Sequence, residues 1–326
     1  MLAAASSLHS GWVASGPQVE AFERELCMFL GLPAGHAVCV SSGTAALAVA
    51  LHVLGAKGKR VAMPAYACSS LRHAVAFAHG TEELHDVAKN SPNIDLSSVN
   101  QSSPDLVVVP HMYGIPVDVR KIASGIRVIE DCAQAIGSTI GGAKTGTLAD
   151  ASIFSFYASK LMTSGGQGGA VVSKDKAFVD AVRDYCEFDC RRDSQHRFNF
   201  QMSDVLAAVG RVQLKRLPAF LSKRSDLFEE YRATGIPLLD VSPNEKDIRP
   251  VRFRAVTRTA LPKAMISNLE EAHIRAIVPT EAWELLGKAE DFPCALELCK
   301  STVSLPLYPT LTKKQVAFIA KQSRLS

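Results

Sequence analysis

Apolar residues fall along this chain in two alternating rhythms. Short unbroken runs at residues 37–40, 60–63, 106–110, 127–129, 151–156 and 170–173 are too brief for helices and read as strands buried on both faces. Between several of them the apolar positions recur every three or four residues. Phe22, Leu26 and Phe29 do so in a helix expected over 19–30. An Ala-rich helix is expected from 45 to about 54, and another over 69–78. Buried strands alternating with helices predict an α/β fold around a mostly parallel sheet covered on both sides. Ser41, His111 and Asp131 stand where such strands end. Open sheets of this kind hold ligands beyond their strand ends.

The rhythm changes in the last third. Helices are expected over 202–217, 220–233, 263–274 and 312–322, with strands at 251–256 and 276–278. This reads as a smaller α+β unit, so two domains are expected, 1–219 and 220–326. No internal repeat or long low-complexity linker interrupts them.

Composition narrows the function. With 326 residues and 47% apolar content, the chain can bury substantial cores. Its formal charge is only +4 and no basic block is present, which argues against nucleic acid as a partner. Arg191-Arg192 is flanked by Asp189 and Asp193 and reads as a local functional turn. No apolar stretch is long enough to predict a membrane span, and the first ten residues lack a basic leader. The 8 cysteines are scattered, several inside apolar runs, as reduced buried thiols would be. Cys186, Cys190 and His196 raise zinc as an alternative, but further ligands at suitable spacing are missing, so no metal is expected. A cytoplasmic protein is the expectation.

Three features carry chemistry. Ser41-Ser42-Gly43-Thr44 turns a strand into a helix, and the free N–H groups of that helix start suit a phosphate, or form merely a tight connection. Glu130-Asp131 ends a strand; Asp131 can face a ring nitrogen or cap a following turn. Lys160 closes Phe154-Ser155-Phe156-Tyr157-Ala158-Ser159-Lys160 ahead of Gly165-Gly166-Gln167-Gly168-Gly169, as a reactive amine or a loop lysine. Together they offer an amine for an aldehyde, a carboxylate for a pyridine nitrogen and donors for a phosphate, the needs of pyridoxal phosphate. Gln134 can donate to the cofactor's phenolic oxygen or lie at the surface. Ser155 can reach the phosphate, and Ala133 is small enough to pack on the ring. His111 borders this region, as a substrate neighbour or a buried strand-end histidine.

These segments occur in one order with Ser15-Gly16-Pro17, Pro64-Ala65-Tyr66, His111-Met112-Tyr113-Gly114, Gly168-Gly169-Ala170-Val171-Val172 and Ser304-Leu305-Pro306-Leu307-Tyr308-Pro309. Over nearly its whole length the chain resembles the DegT/DnrJ/EryC1/StrS sugar aminotransferases, which have the aspartate-aminotransferase-like fold (fold type I of pyridoxal phosphate enzymes). The resemblance implies a large cofactor-binding domain with a mixed, mostly parallel sheet and a small α+β C-terminal domain. It implies that Gly43, Thr44 and Ser155 hold the phosphate, Asp131 the pyridine nitrogen and Gln134 the phenolic oxygen, while Lys160 takes the aldehyde and moves protons. Arg197-Phe198-Asn199-Phe200-Gln201-Met202 resembles the family's Asn-x-Arg-Met stretch with Gln201 in place of arginine. Asn199 would then reach the phosphate of the neighbouring subunit, making a homodimer with composite sites.

Two departures stand out. Cys68 occupies the position of an aromatic that stacks on the cofactor, and the family's His-Tyr segment is missing around 274–281. The activity implied is transfer of an amino group, from glutamate, to a nucleotide-linked 3- or 4-keto sugar, with Arg191, Arg192 or Arg197 available for a carboxylate or diphosphate. A keto-cyclitol acceptor and a catalytically idle regulatory homologue are the alternatives. Lys160 speaks against a sugar dehydratase, whose relatives carry histidine there. The glycine run follows the lysine instead of opening a strand–turn–helix, which speaks against a nicotinamide dehydrogenase.

Overall fold

The computed structural model describes residues 2–242 and 244–324. Helices α1 (Leu2–His9) and α2 (Pro17–Leu30) lead into β1 (Ala37–Val40), α3 (Gly43–Val53), β2 (Arg60–Pro64), α4 (Ser70–Phe77) and β3 (Thr81–His85). Next come α5 (Leu96–Ser102), β4 (Leu106–Pro110) and β5 (Arg127–Asp131). A small hairpin of β6 (Thr139–Ile140) and β7 (Ala143–Lys144) precedes β8 (Ala151–Ser155), β9 (Gly169–Val172), α6 (Lys176–Cys186) and α7 (Asp204–Ala233). The chain ends with β10 (Ile248–Arg249), β11 (Ala255–Arg258), α8 (Pro262–Glu271), α9 (Pro293–Ser301), β12 (Thr302–Leu305) and α10 (Lys313–Gln322).

Seven strands form one sheet in the order β1-β9-β8-β5-β4-β2-β3. Pairings β2–β3, β2–β4, β4–β5 and β5–β8 are parallel, whereas β9 runs antiparallel to both β8 and β1. The sheet is therefore mixed and mostly parallel, as expected. Side-chain alternation splits β1 between two cores. Val38 and Val40 join α3, α4 and α6 on one face, while Ala37 and Cys39 join α2 and the first half of α7 on the other. Burial of each such aliphatic side chain is worth roughly 1.5–3 kcal/mol, so a sheet covered twice tolerates continuous apolar strands such as Leu-Val-Val-Val in β4. β3 escapes a pattern search because it lies at the sheet edge, where Thr81 and Glu82 are exposed.

The C-terminal part differs from expectation in three places. The two helices expected over 202–217 and 220–233 are one 30-residue helix, α7. Pro218 removes one backbone donor, but it lies at an exposed position and does not end the helix. The proposed boundary at 219/220 thus falls inside α7, whose later residues Leu227, Phe228 and Tyr231 belong to a separate core with α8, α10, β11 and β12. The strand expected at 251–256 starts only at Ala255, because the preceding backbone is pinned elsewhere. Val251 N–H donates to Gly114 O at 3.0 Å and Phe253 N–H to Tyr113 O at 3.2 Å. Residues 276–278 form no strand; Ile277 makes a single bridge to Ser304. β12, next to it, pairs antiparallel with β11.

Candidate active site

The carboxyl ends of β1, β2, β4, β5 and β8 converge on one cavity of about 320 Å³. Lys160, Asp131, Gly43, Thr44, Cys68, Ala133, Gln134 and Ser155 all line it. Of the residues singled out as catalytic or cofactor-binding, only Asn199 lies elsewhere.

One end of the cavity is an anion cradle made by the start of α3. Ser42 caps that helix: its Oγ accepts from Ala45 N at 3.0 Å and its carbonyl from Ala46 N at 3.0 Å. The amides of Gly43 and Thr44 are left without an acceptor among the described residues, as a helix start requires. Ser155, at the end of β8, presses against this turn. A Cβ on Gly43 would stand 2.8 Å from Ser155 Cβ, and a Cβ on Gly169 would stand 2.4 Å from Ser42 O. Glycine is needed here for close approach of two chain segments, which brings the Ser155 hydroxyl beside the free amides.

Asp131 stands at the end of β5 with 8% of its surface exposed. Its Oδ1 accepts from Ala133 N at 2.9 Å. Burial pushes its carboxyl above the usual range, and the Ala133 amide, Lys160 and His111 offset that rise only in part. A cationic group entering the cavity, such as a protonated ring nitrogen, would supply the charge that this carboxylate lacks. Gln134 is oriented by the protein: its Oε1 accepts from Tyr113 N at 2.8 Å, which fixes the amide's sense. Among the described residues its Nε2 has only the Met112 sulfur as a partner, at 3.9 Å, and stays available as a donor. Tyr113 itself adopts φ +60, uncommon for a bulky residue, and its hydroxyl bonds that of buried Tyr66.

Lys160 is held by a tight return of the glycine-rich segment. Phe156 N–H donates to Gly168 O at 2.8 Å, Ala158 N–H to Gly166 O at 3.2 Å and Lys160 N–H to Tyr157 O at 3.0 Å. Its ammonium lies 5.7 Å from the centre of the Phe253 ring and forms no ion pair among the described residues. Lys160 and Asp131 thus line one partly open cavity.

Behind Asp131, His111 is locked. Its Nδ1 accepts from Val117 N at 3.2 Å, so Nε2 carries the proton donated to Glu130 Oε1 at 3.1 Å. Glu130 Oε2 accepts from Leu148 N at 2.8 Å. His111, Glu130 and Cys132 lie close enough together to ligate an ion, but both ring nitrogens and both carboxylate oxygens already have partners. His111 therefore borders the cavity as a satisfied strand-end residue.

Asn199 sits on an exposed segment, and its Oδ1 accepts from Gln201 N at 3.2 Å. It does not reach its own chain's cavity. Two of the arginines near it are engaged. Arg197 pairs with Asp193 at 2.6 Å and Asp184 at 2.9 Å, and Arg191 pairs with Asp184 and Glu187. Sequence reasoning left Tyr157, Met112 and Gln167 without a role, although all three line the cavity. Tyr157 is 47% exposed and adds an aromatic ring to the same cavity lining as Cys68. Its place in the segment leading to Lys160 was the available signal.

Comparison with known proteins agrees with this geometry. The DegT/DnrJ/EryC1/StrS aminotransferase family profile matches residues 1–324. GDP-perosamine synthase of Escherichia coli O157:H7 is 28% identical over 339 residues, spanning 96% of this chain and 92% of that protein. Spore coat polysaccharide biosynthesis protein SpsC of Bacillus subtilis (strain 168) is 30% identical over 351 residues, spanning 95% and 90%. Among solved structures, S. venezuelae DesV in complex with a ketimine intermediate superposes with a TM-score of 0.91 at 27% identity, covering 99% of this chain and 93% of that one. Among the described residues, no helix is long and apolar enough to cross a membrane.

Proposed function

The chain belongs to the DegT/DnrJ/EryC1/StrS aminotransferase family and is a pyridoxal phosphate-dependent aminotransferase, and on that premise we propose that it moves an amino group from glutamate to a nucleotide-linked 3- or 4-keto sugar. The observation that carries this reading is the single cavity in which an unpaired lysine, a buried carboxylate and a helix-start anion cradle face one another. The cavity's residues fit the cofactor. The amides of Gly43 and Thr44 with the Ser155 hydroxyl would hold its phosphate, Gln134 Nε2 its phenolic oxygen, and Asp131 its ring nitrogen. Ala133, Cys68 and Tyr157 offer wall surface for the ring. When bound, the cofactor supplies a carrier for the amino group and an electron sink for the carbon that loses a proton.

The chain's own groups do the rest. Lys160, without an ion-pair partner, takes a proton from the Cα of the donor and returns one to the acceptor carbon in the opposite half-reaction. Asp131 keeps a proton on the ring nitrogen by supplying negative charge in a water-poor setting. Asn199 does not line its own chain's cavity, and in the homodimer implied by the family resemblance it would reach the partner's cofactor phosphate. Residues 1–219 and 220–326 would act as large and small domains about α7. The eight free cysteines suit a reducing cytoplasm. The names of the relatives support a sugar nucleotide as acceptor.

The test is to follow the visible absorbance of the holoenzyme with glutamate, then add 3- and 4-keto sugar nucleotides and keto-cyclitols and weigh the products. Bleaching by glutamate with amination of a sugar nucleotide is the expected result. Bleaching followed by amination of a cyclitol alone removes the acceptor assignment, and no bleaching removes the donor.

A further inference from the structure

A second cavity, of about 290 Å³, has Ser159 on its wall, the neighbour of Lys160 in the first. Its other polar lining is basic or neutral: Arg224, Arg254, Arg275 and Ser304. No acidic side chain lines it, and among the described residues none of the three guanidiniums forms an ion pair. This separates them from Arg191 and Arg197, whose charges are matched by nearby carboxylates.

Arg224 is 8% exposed. Its Nη1 donates to the carbonyls of Arg252, Phe253 and Leu307 at 3.2, 3.2 and 2.8 Å, and its buried Nε has no acceptor among the described residues. Burial lowers its pKa to about 10, so it remains a cation at neutral pH. Arg254 donates from Nη1 to Ser304 Oγ at 3.0 Å and keeps the rest of its planar fork free. Three uncompensated cations around one concavity repel one another, and an anion bound among them would relieve that repulsion.

The proposed reaction brings two anions: the carboxylate of the donor and the diphosphate of the acceptor. Phe253 decides between them. Lys160 Nζ lies 5.7 Å and Arg254 Cζ 5.6 Å from the centre of the same ring. The guanidinium therefore lies no more than about 11 Å from the amine that exchanges a proton with the reacting carbon, a span that one small amino acid can bridge. A donor's carboxylate is attached to that carbon, whereas an acceptor's diphosphate lies across a sugar ring from it. Resting on the aminotransferase reading above, we propose that Arg254 and Arg275, with Ser304, form the subsite for the carboxylate of the amino donor, with the buried charge of Arg224 behind them.

Arg254→Gln and Arg275→Gln holoenzymes test this in two ways. Rapid mixing with glutamate gives the apparent Kd and limiting rate of bleaching. Calorimetry gives the affinity for glutarate, an unreactive dicarboxylate, and for GDP, UDP and dTDP. Expected for Arg254→Gln is a rise of about 30-fold in the glutamate Kd and a parallel loss of glutarate affinity, with the best-binding nucleoside diphosphate held within about twofold. Arg275→Gln, at an exposed position, should shift the same two values by about fivefold. Loss of nucleoside diphosphate binding with glutarate unchanged would make this the diphosphate subsite, and loss of both probes would equally refute the donor assignment. No change in either would mean that no substrate anion binds here. Glutarate binding is read without any acceptor, so failure of the keto-sugar reading leaves this test standing.

Discussion

The two cavities, lined by the neighbouring residues Lys160 and Ser159, are built by opposite means. The first is made of backbone geometry: a helix start, strand ends and glycines that let segments touch at 43 and 169. Its charged groups are few, and Lys160 and His111 offset the burial of the Asp131 carboxyl only in part. The second is made of side chains from distant parts of the chain, at 224, 254, 275 and 304, and its charge is unbalanced. A site for a resident cofactor is pre-formed by main chain, whereas a site for a passing substrate is left with charge to be satisfied. Density of arginine in the sequence is therefore a poor guide, because Arg191 and Arg197 are already spent on Asp184 and Asp193.

The contrast can be broken experimentally, first at the lysine. Lys160→Ala should lower turnover by about 10⁴-fold while cofactor is still retained by the cradle, since general acid–base catalysis alone is worth about 10²–10⁴-fold and the nucleophile is lost with it. Steady-state turnover with glutamate and acceptor measures this, and turnover within tenfold of the parent would remove the lysine's role.

Asp131→Asn should cost about 10²–10³-fold in kcat/KM by removing the ring nitrogen's counter-charge. Its stability effect has the opposite sign. Because the folded carboxyl is pushed above its unfolded value of 3.8, the native state of the apoprotein binds more protons just above that pH, and stability falls as pH rises through the window. The neutral amide should therefore raise the apoprotein Tm at pH 7, on the order of 2 °C, and flatten its dependence over that window. Calorimetric scans of both apoproteins from pH 3.5 to 7 check this.

Gly43→Ala tests the main-chain cradle. Its Cβ would lie 2.8 Å from Ser155 Cβ, and the required shift should cost about 1–3 kcal/mol in stability. Cofactor affinity should fall by about tenfold or more, as read by equilibrium dialysis of the phosphate-bearing cofactor. The smallest expected effect is at Gln134: Gln134→Leu removes one neutral donor, so cofactor affinity should drop only about fivefold, with turnover reduced to a similar extent.

Legibility in the sequence follows the same division. β1, β4 and the start of α3 were readable because buried strands and Ser-Ser-Gly-Thr express themselves within a few consecutive residues. Lys160, Asp131, Gln134 and Ser155 were readable because each sits at a strand end or just past one, which the topology then gathers together. β3 was missed because an edge strand need not be apolar. The strand expected from 251 was placed too early because its first residues answer to Tyr113 and Gly114, a pairing invisible in local pattern. The arginine cavity was missed for that reason too: Phe253 and Arg254 are carried to the lysine by those long-range bonds. Asn199 was assigned by resemblance alone, and within one chain it makes only a local turn.

The most direct measurement is to treat the holoenzyme with borohydride, which fixes the cofactor to whichever amine holds it, and to map the labelled peptide. The account predicts label on Lys160 in the parent and about the same extent of labelling in Asp131→Asn once saturated with cofactor, at a weaker affinity. Label on a different lysine, or undiminished labelling in Lys160→Ala, would contradict it.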